Sequence, residues 1–440
     1  MFRISFFIFL SVVISTVLPF LCLARVTPSL ADQMPAVTDD TEKQLNNALE
    51  YYNSQQFTDA FSWFEKAANA GNAQAQYSLG VMYANGQGVA QDNKQAYKWY
   101  KKAAEAGNTN AQNNLGVMYA KGQGVAQDDK KALYWYRKAA EAGNTDAQNN
   151  LGVMYAGGHG IIQSYRKAFD WYERAANAGN IEAQNNLGLM YTNGQGIPQD
   201  DKKAFEWYEK AAKGGNISAQ AALGDIYAGG VGVQEDNQKA FEWYNMAAKA
   251  GDIHAQVTLA MMYANGLGTK KDNRQAFEWY KKAAEAGDIE AQSMLGAFYL
   301  DGKVVHKDYK VALKWSKKAA EIGNPIAQRT VGMIYNLGLG VPQNYTEAFT
   351  WFNKAALGGD SEAQFNLGFM YFHGKGVTQD YKNAYTWLSL AAANTSAGKQ
   401  HNLIIQLRDQ SANNLTPSAL LQAQEEAKLL AARINRPHSF

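Results

Sequence analysis

Apolar and polar positions follow a helical period along most of this chain, and the whole pattern returns every 36 residues. In one copy the apolar side chains Ala75, Leu79, Met82 and Tyr83 fall at i, i+4, i+7 and i+8, which predicts an amphipathic helix. The Ala-Gln pair at the start of this stripe recurs at 75, 111, 147, 183, 219, 255, 291, 327 and 363, without insertion or deletion. A fixed period of this length indicates stacked units that bury their apolar faces on one another. We therefore predict an all-α repeat fold.

A second helix follows in each copy, with apolar positions such as Ala96, Trp99 and Tyr100 on one face. The glycine after the first helix, from Gly86 to Gly374, is present in all nine copies and predicts a left-handed C-terminal cap. The residue before the second helix is always a side chain that can accept from the first free backbone N–H groups. These predicted N-caps are Asp92, Asp128, Ser164, Asp200, Asp236, Asp272, Asp308, Asn344 and Asp380.

Two further positions of the repeat predict packing. Gly80 and its counterparts lie inside the first helix, and only Ala260 departs from glycine. Because glycine destabilises a helix interior by about 1 kcal/mol, its return predicts a close approach of a neighbouring helix. All ten tryptophans share one register of the second helix. A row of tryptophans can also stack carbohydrate or bases, but their place in the apolar stripe favours packing.

The two ends of the array depart from the period. Residues 42–72 resemble a tetratricopeptide hairpin, because the Gly-rich loop is missing, and we assign nine full repeats to residues 73–396. Residues 397–440 are predicted to form capping helices. The first is a short apolar helix at Leu403–Leu407, and the second, Ser418–Ile434, begins after a Thr416 cap and Pro417.

The N-terminal residues 1–31 have the pattern of a secretory signal peptide: a basic start, an apolar run and small residues at the end. We expect cleavage after Ala31, with Ala24 as an earlier site, and a polar linker over residues 32–41. The predicted location is therefore the periplasm or the secreted space. An uncleaved membrane anchor is the alternative, since about 20 apolar residues can span a bilayer. Lipid attachment to Cys22 is disfavoured because bulky Leu21 precedes it.

Composition and motifs narrow the chemistry. The net charge of +2 gives no basic surface for nucleic acid. Cys22 is the only cysteine, and the six histidines lack the spacing of a zinc site. The glycines of the loops lack the strand and the Lys-Ser or Lys-Thr pair of a phosphate loop. We therefore predict no catalytic residues, no cofactor and no metal, and a monomer that is not an enzyme.

The recurring pattern A-Q-x-x-L-G-x-M-Y-x-x-G-x-G-V-x-Q-D-x-x-x-A-x-x-W-Y-x-x-A-A-x-x-G-N resembles the Sel1-like repeat, a branch of the tetratricopeptide-like superfamily. The resemblance covers residues 73 to about 393. It implies an α-solenoid, a superhelix of antiparallel helix pairs whose first helices line a concave face. It also implies an adaptor, in bacteria often secreted. The loop Asp301–Val305 lacks the second glycine, so we expect a different bend there.

These observations favour a scaffold of the cell envelope or the secreted space, which binds a protein or peptide along the concave face. An enzyme that binds or hydrolyses β-lactams is the alternative, by resemblance to cysteine-rich members of the family. Those proteins carry paired cysteines in each repeat, whereas this chain has none after Cys22. A glycan binder of the cell envelope is a third possibility, without a distinctive sequence feature.

The predicted partner surface lies on the first helix of the last repeat. Phe365, Phe369 and Phe372 fall on one face opposite its apolar stripe, where early copies have small or polar residues. Exposed aromatic side chains are common anchors of interfaces. The predicted patch also includes His373, Met333 and Leu337. In the alternative interpretation, the closing helices that carry Leu403, Ile404 and Leu407 cover these rings. Replacement of Phe365 and Phe369 by alanine is therefore expected to weaken binding with little loss of stability, unless the rings are core.

Overall fold

A computed structural model describes residues 39–434, and this part of the chain consists of α-helices and connections, without a strand. The predicted signal peptide and most of the predicted linker lie outside the described residues. The first helix begins inside the predicted linker, at Asp39. The chain divides into two units, Met1–Ala111 and Gln112–Phe440.

The helices of the first unit and the helix that contains the boundary are α1 (Asp39–Asn53), α2 (Phe57–Asn69), α3 (Ala73–Asn85), α4 (Asn93–Glu105) and α5 (Thr109–Lys121). The remaining helices are α6 (Asp129–Glu141), α7 (Thr145–Gly157), α8 (Tyr165–Asn177), α9 (Ile181–Asn193), α10 (Asp201–Lys213), α11 (Ile217–Gly229), α12 (Asn237–Lys249), α13 (Ile253–Asn265), α14 (Asn273–Glu285), α15 (Ile289–Asp301), α16 (Tyr309–Ile322), α17 (Pro325–Leu337), α18 (Tyr345–Leu357), α19 (Ser361–His373), α20 (Tyr381–Asn394), α21 (Lys399–Asn413) and α22 (Pro417–Ile434). Within each 36-residue repeat, the odd-numbered helix from α3 to α19 is the first helix and the even-numbered one is the second. The predicted all-α fold of the α-solenoid class is confirmed.

The predicted N-caps are confirmed at all nine second helices, where the side chain accepts from a backbone N–H of the first turn. Asp92 Oδ1, for example, accepts from the backbone N–H groups of Lys94 at 2.8 Å and Gln95 at 3.1 Å. First helices are capped in the same way, as where Asn144 Oδ1 accepts from Ala147 N–H at 2.8 Å. Each such cap contributes about 1 kcal/mol to helix stability.

In six repeats the glycine inside the first helix faces an aromatic ring of the second helix of the same repeat, whereas Gly296 faces Ser316 and Gly368 faces Leu388. A Cβ on Gly152 would lie 2.6 Å from both Cδ1 and Cε1 of Tyr172, which is buried. The same relation holds for Gly188 and Tyr208 at 2.7 Å. The predicted close approach is confirmed, and its cause is a buried ring that leaves no room for a side chain.

In eight repeats the glutamine of the Ala-Gln pair bonds to the helix before it. Gln256 Nε2 donates to the carbonyl of Ala248 at 3.2 Å, at the C-terminal end of the preceding second helix. That carbonyl is one of the last four of α12, which have no partner inside the helix. The same bond is made by Gln76, Gln148, Gln184, Gln220, Gln292, Gln328 and Gln364.

The tryptophans pack between consecutive second helices, as predicted. Trp351 of α18, for example, packs with Ala319 and Ala320 of α16. A Lys or Arg three residues further on covers the ring in eight repeats, as where Lys210 Nζ lies 3.9 Å from the centroid of Trp207. Such cation–π contacts are worth about 0.5–1 kcal/mol at exposed sites.

Seven of the loops between the two helices of a repeat pack on the preceding repeat through their second glycine. A Cβ on Gly160 would lie 2.8 Å from the backbone carbonyl carbon of Asp129, the first residue of α6. Gly160 has a φ of +67°, in the region that favours glycine. Val304 takes this position in the loop after α15 without a positive φ, so the predicted difference in that bend is confirmed.

The last two helices pack against α20. Helix α21 is longer than the predicted apolar segment and spans fifteen residues. Helix α22 begins at Pro417, and Thr416 Oγ1 accepts from Ala419 N–H at 3.3 Å, which confirms the predicted cap. Within residues 39–434, no helix is both long and apolar enough to span a bilayer.

Candidate functional site

The three phenylalanines of the predicted partner surface lie partly under the C-terminal helices. Phe365, Phe369 and Phe372 are half-buried and pack with a cluster that includes the buried Ile404 and Leu407 of α21. This arrangement corresponds to the alternative interpretation, in which the closing helices cover these rings. We therefore expect these rings to contribute to stability, and this expectation stays a prediction.

The other three predicted residues are spread over different surroundings. His373 is exposed and lies against Phe369, with ring centroids 4.3 Å apart, and partial burial together with Lys375 lowers the pKa of its imidazole. Met333 is half-buried against the cluster of α18 to α20, whereas Leu337 is 56% exposed. The structure thus brings His373 to the phenylalanines but does not form one open patch from the six residues. Their role in binding stays a prediction.

A more open row follows the ninth residue of successive first helices. Val153 in α7, Leu189 in α9 and Met261 in α13 are 43%, 45% and 39% exposed. The ninth residue of α11, between them, is Asp225. We call these four residues the ninth-residue row. Phe369 already placed the ninth position on the predicted face, but the row was missed because the early copies were taken as small or polar and the middle copies were not compared.

Residues of the first helix divide into invariant and variable positions when the nine copies are compared. The third, fourth and eleventh residues are always Ala, Gln and Tyr, and the glutamine makes the inter-repeat bond described above in eight copies. The ninth residues differ from copy to copy: Val81, Val117, Val153, Leu189, Asp225, Met261, Ala297, Met333 and Phe369. The fifth residues differ still more: Tyr77, Asn113, Asn149, Asn185, Ala221, Val257, Ser293, Arg329 and Phe365. The invariant residues thus make the contacts shared by all repeats, whereas the fifth and ninth residues vary, the fifth even where it is buried, as at Ala221 and Val257.

Asp225 is the one charged residue of the row, and the protein holds its carboxylate in place. The hydroxyl of the buried Tyr244 in α12 donates to Asp225 Oδ1 at 2.6 Å, and His254 Nε2 in α13 lies 3.3 Å from the same oxygen. The bond to Asp225 raises the pKa of the His254 imidazole. Burial, followed by the nearby carboxylate, raises the pKa of the Tyr244 hydroxyl, so this group stays a donor at neutral pH.

Around this row the first helices carry acidic residues, whereas the second helices carry an excess of basic residues. Helices α7, α9, α11, α13 and α15 contain five acidic residues and no Lys or Arg. The second helices from α8 to α16 each carry more Lys and Arg than Asp and Glu. On α15, burial and Asp288 raise the pKa of the Glu290 carboxyl. The exposed side of these first helices therefore offers apolar and acidic groups to a ligand.

Between Asp39 and Ile434, no three or more His, Cys, Asp or Glu side chains are placed to hold a metal ion. The arrangement found at Asp225 is one oriented carboxylate in a row with exposed apolar side chains.

Comparison with known proteins identifies the repeats. The Sel1 repeat profile matches residues 54–72, 73–108, 109–144, 145–180, 181–216, 217–252, 253–288, 289–324, 325–360 and 361–396. No functionally curated protein matches the chain.

Two solved structures share both sequence and fold with it. A protective antigen of uropathogenic Escherichia coli strains, which displays an SLR fold, is 35% identical over 90% of this chain and 92% of its own, with a TM-score of 0.52. A Sel1 repeat protein from Oxalobacter formigenes is 40% identical over 55% of this chain and 99% of its own, with a TM-score of 0.53. With ten matched segments, inter-repeat glutamines and ring-facing glycines, this chain belongs to the Sel1 repeat family.

Proposed function

We propose that this protein is a non-catalytic scaffold that binds a partner protein or peptide on the exposed side of its first helices. The observation that carries this proposal is the contrast between invariant packing positions and a variable, partly apolar ninth-residue row. Exposed apolar side chains on a soluble surface are typical of interaction sites. Proteins built from stacked helical repeats commonly present such extended surfaces to their partners.

We place the scaffold outside the cytoplasm, in the periplasm or the secreted space. The signal-like pattern of residues 1–31 supports this location. The similarity to a protective antigen of uropathogenic Escherichia coli is consistent with exposure of the protein to a host. Intact-mass analysis of the native protein tests it. An N-terminus at Asp32 is expected, and a membrane-bound form that retains Met1 would overturn the proposal of cleavage.

Capture of a partner from envelope and host-cell extracts tests the scaffold. The exported form is compared with Leu189→Glu and Met261→Glu, which place charge in the ninth-residue row. The control is Met246→Glu, because Met246 is 47% exposed but belongs to the second helix α12. A partner retained by the control and lost from the two row variants is expected. Capture that is equal for all variants would place the interface elsewhere.

A further inference from the structure

We infer that the exposed side of α7 to α13 binds an extended peptide, and that a Lys or Arg side chain of this peptide pairs with Asp225 between apolar contacts to Leu189 and Met261. The inference rests on the proposed scaffold function and names the chemistry of its ligand. Its ninth-residue row is formed by four consecutive first helices of the second unit.

The helices that carry the row are direct neighbours. Asn186 Nδ2 of α9 donates to Asn149 Oδ1 of α7 at 3.0 Å, and Asn216 Nδ2, just before α11, donates to Glu182 Oε1 of α9 at 3.1 Å. The contact of His254 with Asp225 joins α13 to α11. Packed helices lie about 10 Å apart. An extended chain in the polyproline II conformation has three residues per turn and advances about 3.1 Å per residue, so every third side chain lies on one face, about 9 Å from the last. Every third side chain of such a peptide, when it crosses the helices, therefore meets the ninth residue of a new repeat.

The carboxylate of Asp225 is prepared for a cation. Both of its contacts, to Tyr244 and His254, end on Oδ1, and Oδ2 accepts no hydrogen bond within residues 39–434. The side chain is 42% exposed. A carboxylate can accept about four hydrogen bonds, and ammonium and guanidinium groups carry only donors. Asp225 can therefore bind a basic side chain without giving up the bond that orients it.

Charge complementarity selects the same ligand. None of the five first helices from α7 to α15 carries a Lys or Arg that could neutralise Asp225. An acidic or phosphorylated peptide would be repelled by Asp225 and by Glu290 on α15. A run of consecutive basic residues would place charged groups over Leu189 and Met261. The row thus fits one basic residue flanked by apolar residues at a spacing of three.

Labelled synthetic peptides of known sequence test this inference. The probe is a fluorescein-labelled peptide, Leu-Ser-Ser-Leu-Ser-Ser-Lys-Ser-Ser-Leu-Ser-Ser-Leu, whose pattern reads the same in both directions. Companion peptides replace the central lysine by norleucine or by glutamate. Fluorescence anisotropy with the exported protein is expected to give at least about tenfold tighter binding of the lysine peptide than of the norleucine peptide, since a charged hydrogen bond contributes this much. The glutamate peptide is expected to bind most weakly.

Variants then assign the preference to one carboxylate. Asp225→Asn removes the charge but keeps an oxygen that can accept from Tyr244, and it is expected to abolish the preference for lysine over norleucine. Glu242→Gln is the matched control, because it removes an exposed acid from the second helix α12. This control is expected to keep the full preference.

The comparison of peptides on the unmodified protein does not depend on the folding of any variant. Equal affinity for the lysine and norleucine peptides, no binding of either, or a preference that survives Asp225→Asn would overturn the inference. The scaffold proposal would still stand after any of these results if the protein captured a partner and Leu189→Glu abolished that capture. Loss of lysine preference in Glu242→Gln as well would show general charge attraction and would also overturn it.

Discussion

Replacement of Gly152 by alanine tests the packing of a first helix against a buried ring. The new Cβ would lie 2.6 Å from two ring carbons of Tyr172, well inside van der Waals contact. Tyr172 is only 5% exposed, so its ring has little space into which it can move. We therefore expect Gly152→Ala to destabilise the protein, although alanine is the better helix former.

Two opposing terms set the size of this effect. Alanine in place of a helix glycine stabilises by about 0.5–1 kcal/mol. Excess volume in a packed core costs about 1–3 kcal/mol. Ala260 takes the place of this glycine in one repeat and lies in the same buried cluster as Tyr280, so the fold can adapt to the methyl group. We expect a net loss of about 1 kcal/mol in the free energy of unfolding.

The assay is urea unfolding of the full chain, followed by circular dichroism. Gly229→Ala is the matched control, because Gly229 also lies in a first helix but its Cβ would meet only Val231, at 3.5 Å. The control is expected to be neutral or to stabilise by a few tenths of a kcal/mol up to about 1 kcal/mol. If Gly152→Ala stabilised as much as the control, the ring contact would not explain the recurring glycine.

Three further predictions concern other parts of the array. Phe365→Ala with Phe369→Ala is expected to lower the free energy of unfolding by about 2 kcal/mol for each half-buried ring, against ~3–5 kcal/mol for a fully buried one. The loss would be measured as a lower urea midpoint and faster hydrogen exchange in α21, and an unchanged midpoint would assign these rings to the open surface. In Asp225→Asn, an NMR titration is expected to show the pKa of His254 falling toward its ordinary value. Because the pKa is raised in the folded protein, the contact stabilises fully below the ordinary histidine pKa, and this stability is lost as pH rises through the raised value; an unshifted titration would contradict the pairing. Gln256→Ala is expected to lower the free energy of unfolding by about 1 kcal/mol, because it leaves the Ala248 carbonyl without its donor. The loss would be measured as a lower urea midpoint. An unchanged midpoint would mean that the glutamine has no structural role.

The sequence predicted the features that depend on neighbouring residues within one repeat. A cap such as Asp92 acts on backbone groups two and three residues away, so its type and spacing are sufficient to identify it. The glycine inside the first helix indicated a close approach. The ring that faces this glycine, such as Tyr172, was not identified, because a tyrosine at that position also fits the apolar stripe of the second helix.

Contacts between two repeats were harder to predict, and so were features that occur in a single copy. Gln256 looks like a marker of the period, and its bond to Ala248 becomes visible only when repeats stack. Asp225 is the one acidic residue among the nine ninth residues, so a comparison of what all copies share does not identify it. The surroundings of Phe365 depend on α21, which lies beyond the repeats and follows no period.

The contact between Gly160 and Asp129 has a consequence for how chains of this kind change in length. An extra residue in such a loop would push it away from the preceding repeat, so an insertion of a few residues weakens a junction. A duplicated unit of 36 residues, by contrast, arrives with its glutamine, glycine and tyrosine already matched to both neighbours. Descendants of one chain can thus lengthen or shorten their ligand-reading surface by one side chain of the ninth-residue row at a time, while the rest of the protein keeps its stability.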